Sequence, residues 1–313
     1  MKLDVAAVGV DFSAGSLAAL RLAKKVSRAG STIRLIHVVD DAIFYRGPTY
    51  GDPVIQESLF RDLTTGARSE LDAFAEELRV TGFTLENVVE VGRPADTILA
   101  AAEGADLIAL GTHGRGAIGR FFLGSVAEEV ARRSPIPVLV VREGTEERPT
   151  ERVLLAVDPT GPSRDAIVAG ALLAERLGAR LEAIHAAHMP PILPSMVPYA
   201  DTRTLERASE LLERHFEAAP ALINGLVKKT IGREVKVHVV SGAPAHEIAR
   251  HAGPGDIVVC GTHGRTALGR FVFGSVAAKL LRETPCPLLI VRPCEDETTR
   301  EELAGAVAKP ALV

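Results

Sequence analysis

The chain has 313 residues, more than one hydrophobic core usually organises, so two domains of ordinary size are expected. Hydrophobic residues make up 47% and aromatic residues only 4%, which favours the Ala, Val, Leu and Ile cores of parallel sheets buried on both faces. A net charge of −4 provides no basic surface for nucleic acid. The sequence begins without a charged-then-apolar leader and contains no apolar run of about 18 residues, so we expect a soluble, cytoplasmic protein without membrane contact.

Strand-like and helix-like segments alternate in both halves, the pattern of a parallel sheet with crossover helices. The predicted strands are 4–10, 32–39, 86–91, 106–110 and 137–141, followed by 152–157, 180–186, 235–240, 256–260 and 287–291. The predicted helices are 16–28, 63–80, 94–103 and 125–133, followed by 163–177, 205–226, 244–251 and 275–283. Ser16 and Ser163 are interpreted as N-caps. The predicted fold class is therefore α/β, with two doubly wound five-stranded parallel-sheet domains.

The domain boundaries follow from a charged segment near the middle of the chain. Residues 142–151 contain Gly144 and Pro149 and are the expected linker. We therefore predict one domain over 1–145, a second over 150–293, and a charged tail over 294–313. Two long segments, 40–61 and 187–204, follow the second predicted strand of each half, and loops of that length are often lids over a ligand.

A glycine-rich signature occurs twice in the chain. Residues 111–125, GTHGRGAIGRFFLGS, return as residues 261–275, GTHGRTALGRFVFGS. Between 111–142 and 261–292, 19 of 32 aligned positions are identical, which indicates a duplicated domain. Glycine, hydroxyl and basic residues at fixed spacing are typical of a loop that wraps a phosphate group with backbone N–H groups.

The signature follows the fourth predicted strand of each half and ends at the start of a helix. Its first glycine is expected at the carboxyl edge of the sheet, either close to a ligand or at positive φ. Its final Gly-Ser pair opens a helix whose N–H groups favour an anion. The predicted phosphate-binding residues are Gly111, His113, Gly114, Arg115, Gly124 and Ser125 in the first half, and Gly261, His263, Gly264, Arg265, Gly274 and Ser275 in the second.

An aspartate follows the first predicted strand of each half, Asp11 in one and Asp158 in the other. A carboxylate at this place can accept hydrogen bonds from ribose hydroxyls. The alternative is an aspartate that caps a helix or closes a turn. Because Ser16 and Ser163 are already interpreted as caps, we favour contact with a ligand.

The pattern G-x2-G-x9-G-S after a βα unit, with an early aspartate, resembles the ATP-binding branch of the universal stress protein family in its tandem form. The resemblance covers both halves, to about Val291. It implies the adenine nucleotide alpha hydrolase-like fold of that family, with the two domains arranged as an intramolecular pseudo-dimer. Further association into a homodimer, and the protein partners, are left open.

The same resemblance implies a ligand and a role. ATP, with Mg²⁺ or Mn²⁺ held through its phosphates, would lie on the signature residues. Its ribose would contact the aspartates, and its adenine would contact backbone after the second strand, at Val38 and Ala186. The expected function is a nucleotide-dependent regulator or sensor in stress adaptation, with little or no ATP hydrolysis.

Other nucleotide and metal chemistries fit the sequence less well. The G-x-G-x-x-G of residues 114–119 follows the fourth strand, whereas a dinucleotide fingerprint belongs after the first, and its second copy lacks the middle glycine. The chain has no Gly-Lys pair for a P-loop. The short spacings Cys260–His263 and His185–His188 occur in one half only, so no structural zinc site and no protein metal ligands are predicted.

No catalytic residue is predicted. His37 and His185 recur at the ends of second strands, where a polar tip more often satisfies local backbone than acts as a base. A slow ATPase or phosphotransferase, and a partner-binding scaffold with vestigial nucleotide sites, remain as alternatives.

Overall fold

The computed structural model describes residues 3–42, 53–77, 82–112, 123–159, 161, 163–187, 202–262 and 273–293. The centres of the two predicted lids, the centres of both signatures, and the tail 294–313 lie outside the described residues. Backbone contacts divide the chain into two compact units. Unit 1 comprises Met1–Pro149 with Cys286–Ile290, and unit 2 begins at Thr150.

Unit 1 alternates strands and helices along the chain. The elements are β1 (Val5–Gly9), α1 (Ala14–Val26), β2 (Thr32–Asp40), α2 (Pro53–Glu77), β3 (Thr84–Gly92), α3 (Pro94–Ala101), β4 (Leu107–Gly111), α4 (Ser125–Arg133) and β5 (Val138–Val141). These strands are parallel and adjacent in the order β3-β2-β1-β4-β5. The strand order reverses between β1 and β4, and doubly wound sheets bind ligands at such a switch point.

Unit 2 repeats this arrangement. Its elements are β6 (Arg152–Ala156), α5 (Arg164–Leu177), β7 (Arg180–Ala187), α6 (Thr202–Ile231), β8 (Lys236–Ser241), α7 (Pro244–His251), β9 (Asp256–Gly261) and α8 (Ser275–Glu283). The strands are parallel in the order β9-β6-β7-β8. The switch point of this unit therefore lies between β6 and β9.

The last strand, β10 (Leu288–Val291), comes from the second repeat but pairs within unit 1. It runs antiparallel to β5, with Leu289 opposite Leu139. Both residues are buried, so the pair extends the apolar core of unit 1. The predicted α/β class is confirmed.

Several helix boundaries differ from the prediction. Helix α2 begins at Pro53 and helix α6 at Thr202, so both predicted lids, 40–61 and 187–204, already contain helix at their ends. Helix α1 begins at Ala14, which makes the prediction of Ser16 as its N-cap wrong. Among the described helices, none is long and apolar enough to cross a membrane.

The cap of α1 is instead Ser13, whose Oγ accepts a hydrogen bond from the Ser16 N–H at 3.2 Å. Ser163 does stand at the N-cap position of α5, but its side chain makes no capping hydrogen bond. Its Oγ donates to the main-chain oxygen of Asp158 at 3.0 Å, because the backbone of Ser163 is already helical and turns the hydroxyl toward the preceding loop.

Candidate functional site

A cleft of about 270 Å³ opens at the switch point of unit 1. Its walls come from the carboxyl ends of β1, β2 and β4 and from the first turn of α4. The predicted residues that line it are Asp11, Val38, Gly111, Gly124 and Ser125. The predicted residues His113, Gly114 and Arg115 lie outside the described part of the chain.

The first turn of α4 presents backbone N–H groups to this cleft. Gly124 stands at the N-cap, and the Glu128 N–H donates to its carbonyl oxygen at 3.0 Å. The three residues between them, Ser125, Val126 and Ala127, all line the cleft, and first-turn N–H groups have no partner within their own helix. Such a turn, with the positive end of the helix dipole, favours an anion.

The signature glycines of unit 1 act through close packing. A Cβ on Gly111 would lie 2.4 Å from the main-chain carbon of Gly15, so this glycine lets the end of β4 approach the start of α1. A Cβ on Gly124 would lie 3.1 Å from the Thr112 oxygen, which accepts a hydrogen bond from the Gly124 N–H at 2.7 Å. The positive-φ alternative is wrong for Gly111. Gly124 and Gly274, at the helix N-caps, both have a φ of −63°.

Asp11 closes a turn as well as lining the cleft. Its Oδ1 accepts hydrogen bonds from the Ser13 N–H at 3.0 Å and from the Ser13 hydroxyl at 2.5 Å. The turn aspartate that the sequence offered as the alternative is therefore present. This turn engages one carboxylate oxygen, and the residue still lines the cleft, so the two roles are compatible.

His37 lies at the end of β2 on the wall of the same cleft. Its Nδ1 is 2.8 Å from the carbonyl oxygen of Val10, as expected for a strand-end histidine that satisfies local backbone. The Phe12 ring packs on it, with centroids 4.6 Å apart, and also makes an edge contact with Phe74. Phe12 has a φ of 62°, a left-handed conformation that is costly for a bulky residue, so the turn after β1 that supports His37 is under backbone strain.

A second cleft, of about 480 Å³, opens at the switch point of unit 2. The predicted residues that line it are Asp158, Ala186 and Gly261. Gly274 and Ser275 are not part of its lining, but the next residue, Val276, is. Helix α8 begins at Ser275 with Gly274 as its N-cap, as the sequence predicts. His263, Gly264 and Arg265 lie outside the described part of the chain.

The loop after β6 is built differently from the loop after β1. The main-chain oxygen of Asp158 accepts hydrogen bonds from the Gly161 N–H at 3.1 Å and from the Ser163 hydroxyl. His185, at the end of β7, places its Nδ1 3.0 Å from the Val157 oxygen, and its Nε2 lies 2.9 Å from Nε2 of His215.

The second cleft contains a cysteine, Cys260, whose thiol is unreactive. Cys260 ends β9 and is buried, and burial raises the pKa of its thiol to about 12. At neutral pH it is therefore a protonated, poorly nucleophilic group. Within the described ranges, no group of three or more His, Cys, Asp or Glu side chains is placed to hold a metal ion.

Sequence reasoning missed two residues that line the clefts and one residue that contacts a cleft histidine. Thr112 and Thr262 follow the first signature glycine, are buried, and line the first and second clefts respectively. Their identity in the two copies was the available signal. His215 comes from the long helix α6 and has no repeated counterpart, so no pattern in the sequence pointed to it.

The sequence was compared with protein families and with known proteins. The sequence profile of the universal stress protein family matches residues 4–142 and again 149–292. The chain is 29% identical over 303 residues to a universal stress protein of Mycolicibacterium smegmatis, covering 91% of this chain and 96% of that one. It is 38% identical over 129 residues to a universal stress protein of Thermus aquaticus, covering 40% of this chain and 88% of that one.

Among solved structures, a universal stress protein from Archaeoglobus fulgidus superposes with a TM-score of 0.65 at 21% identity. The alignment covers 93% of this chain and 99% of that one, so the fold is shared over almost the whole length. The two profile matches together span most of the sequence. The chain belongs to the universal stress protein family and carries the family's domain twice.

Proposed function

We propose that this protein is an ATP-binding regulator or sensor in stress adaptation, in which nucleotide occupancy carries the signal and hydrolysis is slow or absent. ATP would bind in each cleft with Mg²⁺ or Mn²⁺ held through its phosphates, because such ions bind through phosphate and water rather than through a protein cage. The proposed setting is the cytoplasm.

The observation that carries the proposal is the lining of the first cleft. It brings the end of β1, the end of β2 and the first turn of α4 to one place, with Asp11, Val38 and Ser125 on its walls. These are the positions that the family resemblance gives to ribose, adenine and phosphate. An apolar wall with backbone groups suits an adenine ring, and an open helix N-terminus suits phosphate.

The described part of the clefts contains few groups that could act as a base, which supports the non-enzymatic half of the proposal. A general base must come within hydrogen-bond reach of the attacking group. In the second cleft, His185 engages both ring nitrogens, Nδ1 with the Val157 oxygen and Nε2 with His215, and the Cys260 thiol stays protonated. In the described part of the clefts, binding groups therefore outnumber groups suited to chemistry.

Titration calorimetry with Mg·ATP tests the proposal and should approach two nucleotides per chain. Gly124→Val crowds the Thr112 oxygen at the first α4 turn, and Gly274→Val alters the same cap in the second repeat. Each substitution should remove one of the two sites. Gly66→Val and Gly225→Val are matched controls, because a Cβ at either position meets nothing within 4 Å, and both should keep two sites.

Two further measurements separate the alternatives. GTP should give a smaller thermal shift than ATP, and phosphate release should stay far below the ~1–10³ s⁻¹ of ordinary enzymes. Rapid release of phosphate would favour the ATPase or phosphotransferase instead. Absence of ATP binding in the wild-type chain would leave the scaffold with vestigial sites.

A further inference from the structure

A histidine of the second cleft, His185, faces a histidine of helix α6, His215, through the same ring nitrogen. His185, at the end of β7, is buried and lines the cleft, and His215 comes from α6 on the neighbouring side. Their Nε2 atoms are 2.9 Å apart, and the ring planes are inclined by 55°. This places two potential nitrogen ligands from different elements at one point.

The hydrogen bonds determine which nitrogen of His185 is free to accept. The Val157 carbonyl oxygen can only accept, so Nδ1 of His185 carries the proton that it receives. In the neutral ring, Nε2 of His185 then presents a lone pair toward His215. A backbone carbonyl that accepts from the second ring nitrogen is also the usual support of a metal-bound histidine, since it fixes the tautomer and orientation of the ring.

The separation of the two nitrogens fits a single metal ion between them. Two imidazole nitrogens at ~2.0–2.1 Å from one ion lie ~2.9 Å apart when the angle at the metal is about 90°, and ~3.3 Å apart at the tetrahedral angle. The observed 2.9 Å corresponds to the right-angled arrangement. Neighbouring positions in a square-planar or tetragonal ion, such as Cu²⁺ or Ni²⁺, have that angle.

We propose that His185 and His215 form a two-imidazole site for a divalent transition metal ion where helix α6 meets the His185 wall of the second cleft, with water in the remaining coordination positions. Nitrogen ligands at a right angle and the general order of affinities favour Cu²⁺ first and then Ni²⁺. When the metal binds, the proton on Nε2 of His215 moves to Nδ1 of the same ring through solvent. The imidazole changes tautomer and stays neutral.

Unit 1 supplies the internal comparison. His37 has the same backbone hydrogen bond through Nδ1, but the ring packed on it is that of Phe12. The corresponding residue after Asp158 is Pro159. The second unit therefore has no counterpart of Phe12 at this position. The ring that contacts its strand-end histidine is the imidazole of His215.

The test is a Ni²⁺ titration of the nucleotide-free full chain, prepared without a polyhistidine tag, followed by calorimetry and by the visible absorption of the ion. His215→Gln keeps an N–H donor for Nε2 of His185 but removes an imidazole ligand. We expect wild type to bind one Ni²⁺ between His185 and His215, and His215→Gln to bind it at least about tenfold more weakly, since even supporting residues of metal sites are worth that factor. His37→Gln is the matched control and should bind as wild type does.

Thermal unfolding makes the outcome independent of folding defects. Without metal, wild type and His215→Gln should unfold at similar temperatures because the hydrogen bond is kept. With Ni²⁺, only wild type and His37→Gln should gain stability. Equal Ni²⁺ binding by His215→Gln and wild type would overturn the site, and so would a Cu²⁺ resonance spectrum in which only one imidazole nitrogen couples to the ion.

Discussion

The two clefts lie at the same switch point of two copies of one domain, yet they are walled differently. In the first, strained Phe12 covers His37, and Leu110 stands at the end of β4. In the second, Cys260 takes the place of that leucine, and the cleft is larger, about 480 Å³ against 270 Å³.

Apart from the loops after β1 and β6, the backbone frame of the clefts is retained in both copies. In each unit a strand-end histidine donates to the carbonyl oxygen that precedes the aspartate. In each, a Gly-Ser pair begins the helix after the signature. Duplication has therefore kept the groups that a nucleotide would contact through the backbone, while side chains that shape the pocket have diverged. Affinity and selectivity are expected to differ between the clefts more than the mode of binding does.

The largest expected effect concerns the frame of the first cleft. In Gly111→Ala the new Cβ would lie 2.4 Å from the main-chain carbon and 2.6 Å from the main-chain oxygen of Gly15. Backbone atoms cannot rotate away, so β4 and α1 must separate, at a cost of about 3 kcal/mol or more in the free energy of unfolding. Urea denaturation followed by circular dichroism measures that loss.

Gly170→Ala in unit 2 is the control for this prediction. Its Cβ would lie as close, 2.2 Å, but to the Cδ2 methyl of Leu155, which can rotate. Alanine is also the better helix former by about 1 kcal/mol, so the net loss should be well below that of Gly111→Ala. Equal losses for the two variants would show that the contact with Gly15 is not special.

The case of Gly111 illustrates what sequence can and cannot predict here. The sequence predicted that Gly111 ends a strand and that a helix begins after the signature. Both predictions rest on the repeat and on the alternation of apolar residues, which can be seen without a structure. The partner of Gly111 is a backbone atom about a hundred residues away, and the role of Ser13 as the α1 cap depends on where the turn at Asp11 closes. Such contacts arise only from tertiary packing, as does the approach of His215 to His185.

A second contrast lies at the opposite edge of the sheets, at the amino ends of the strands. In unit 2, Arg152 forms ion pairs with Asp256 at 2.6 Å and with Glu182 at 3.1 Å, and all three are largely buried. His251 directs Nε2 toward an Arg152 nitrogen at 3.4 Å, which requires a neutral ring. In unit 1 the position of Arg152 is taken by Val5, and Arg34 stands where unit 2 has Glu182. The ion pair that Arg34 makes with Glu86 is more exposed to water.

This cluster should make the stability of unit 2 sensitive to acid. Burial, with the positive charges of His238 and Arg152, lowers the pKa of His251. The ring is neutral in the folded chain, so stability is lost as pH falls below the unfolded value of about 6.5. Burial acts to raise the pKa of Glu182, but the hydrogen bonds from His238 and Arg152 prevail and lower it, so its contribution is lost only below about pH 4.3.

Calorimetric unfolding at pH 7.5 and 5.5 tests the histidine separately from the carboxylate. Wild type should lose a few degrees in Tm over this interval, and His251→Gln should lose less, because glutamine does not take up the proton. The matched control is His246→Gln on the same helix, an exposed position that should leave the pH dependence unchanged. The same pH dependence in His251→Gln as in wild type would contradict the assignment.

The smallest expected effect concerns one matched pair of wall residues. A Cβ on Gly9 would lie 2.4 Å from the Cδ2 methyl of Leu110, so the glycine of β1 leaves room for the leucine of β4. In unit 2 the equivalent positions are Ala156 and Cys260, which are opposite each other across β6 and β9. From unit 1 to unit 2 the smaller residue becomes larger, glycine to alanine, and the larger residue becomes smaller, leucine to cysteine. The two changes compensate in volume, so the wall stays filled in both units.

A double-mutant cycle in unit 1 measures this complementarity. Gly9→Ala alone should cost about 1–2 kcal/mol of unfolding free energy through crowding, and Leu110→Cys alone should cost a similar amount through the space it leaves. In the double variant the new methyl group occupies part of that space, so the combined loss should fall short of the sum by about 1 kcal/mol. Strict additivity would mean that the two positions vary independently, and that the walls of the two clefts diverged residue by residue rather than in packed pairs.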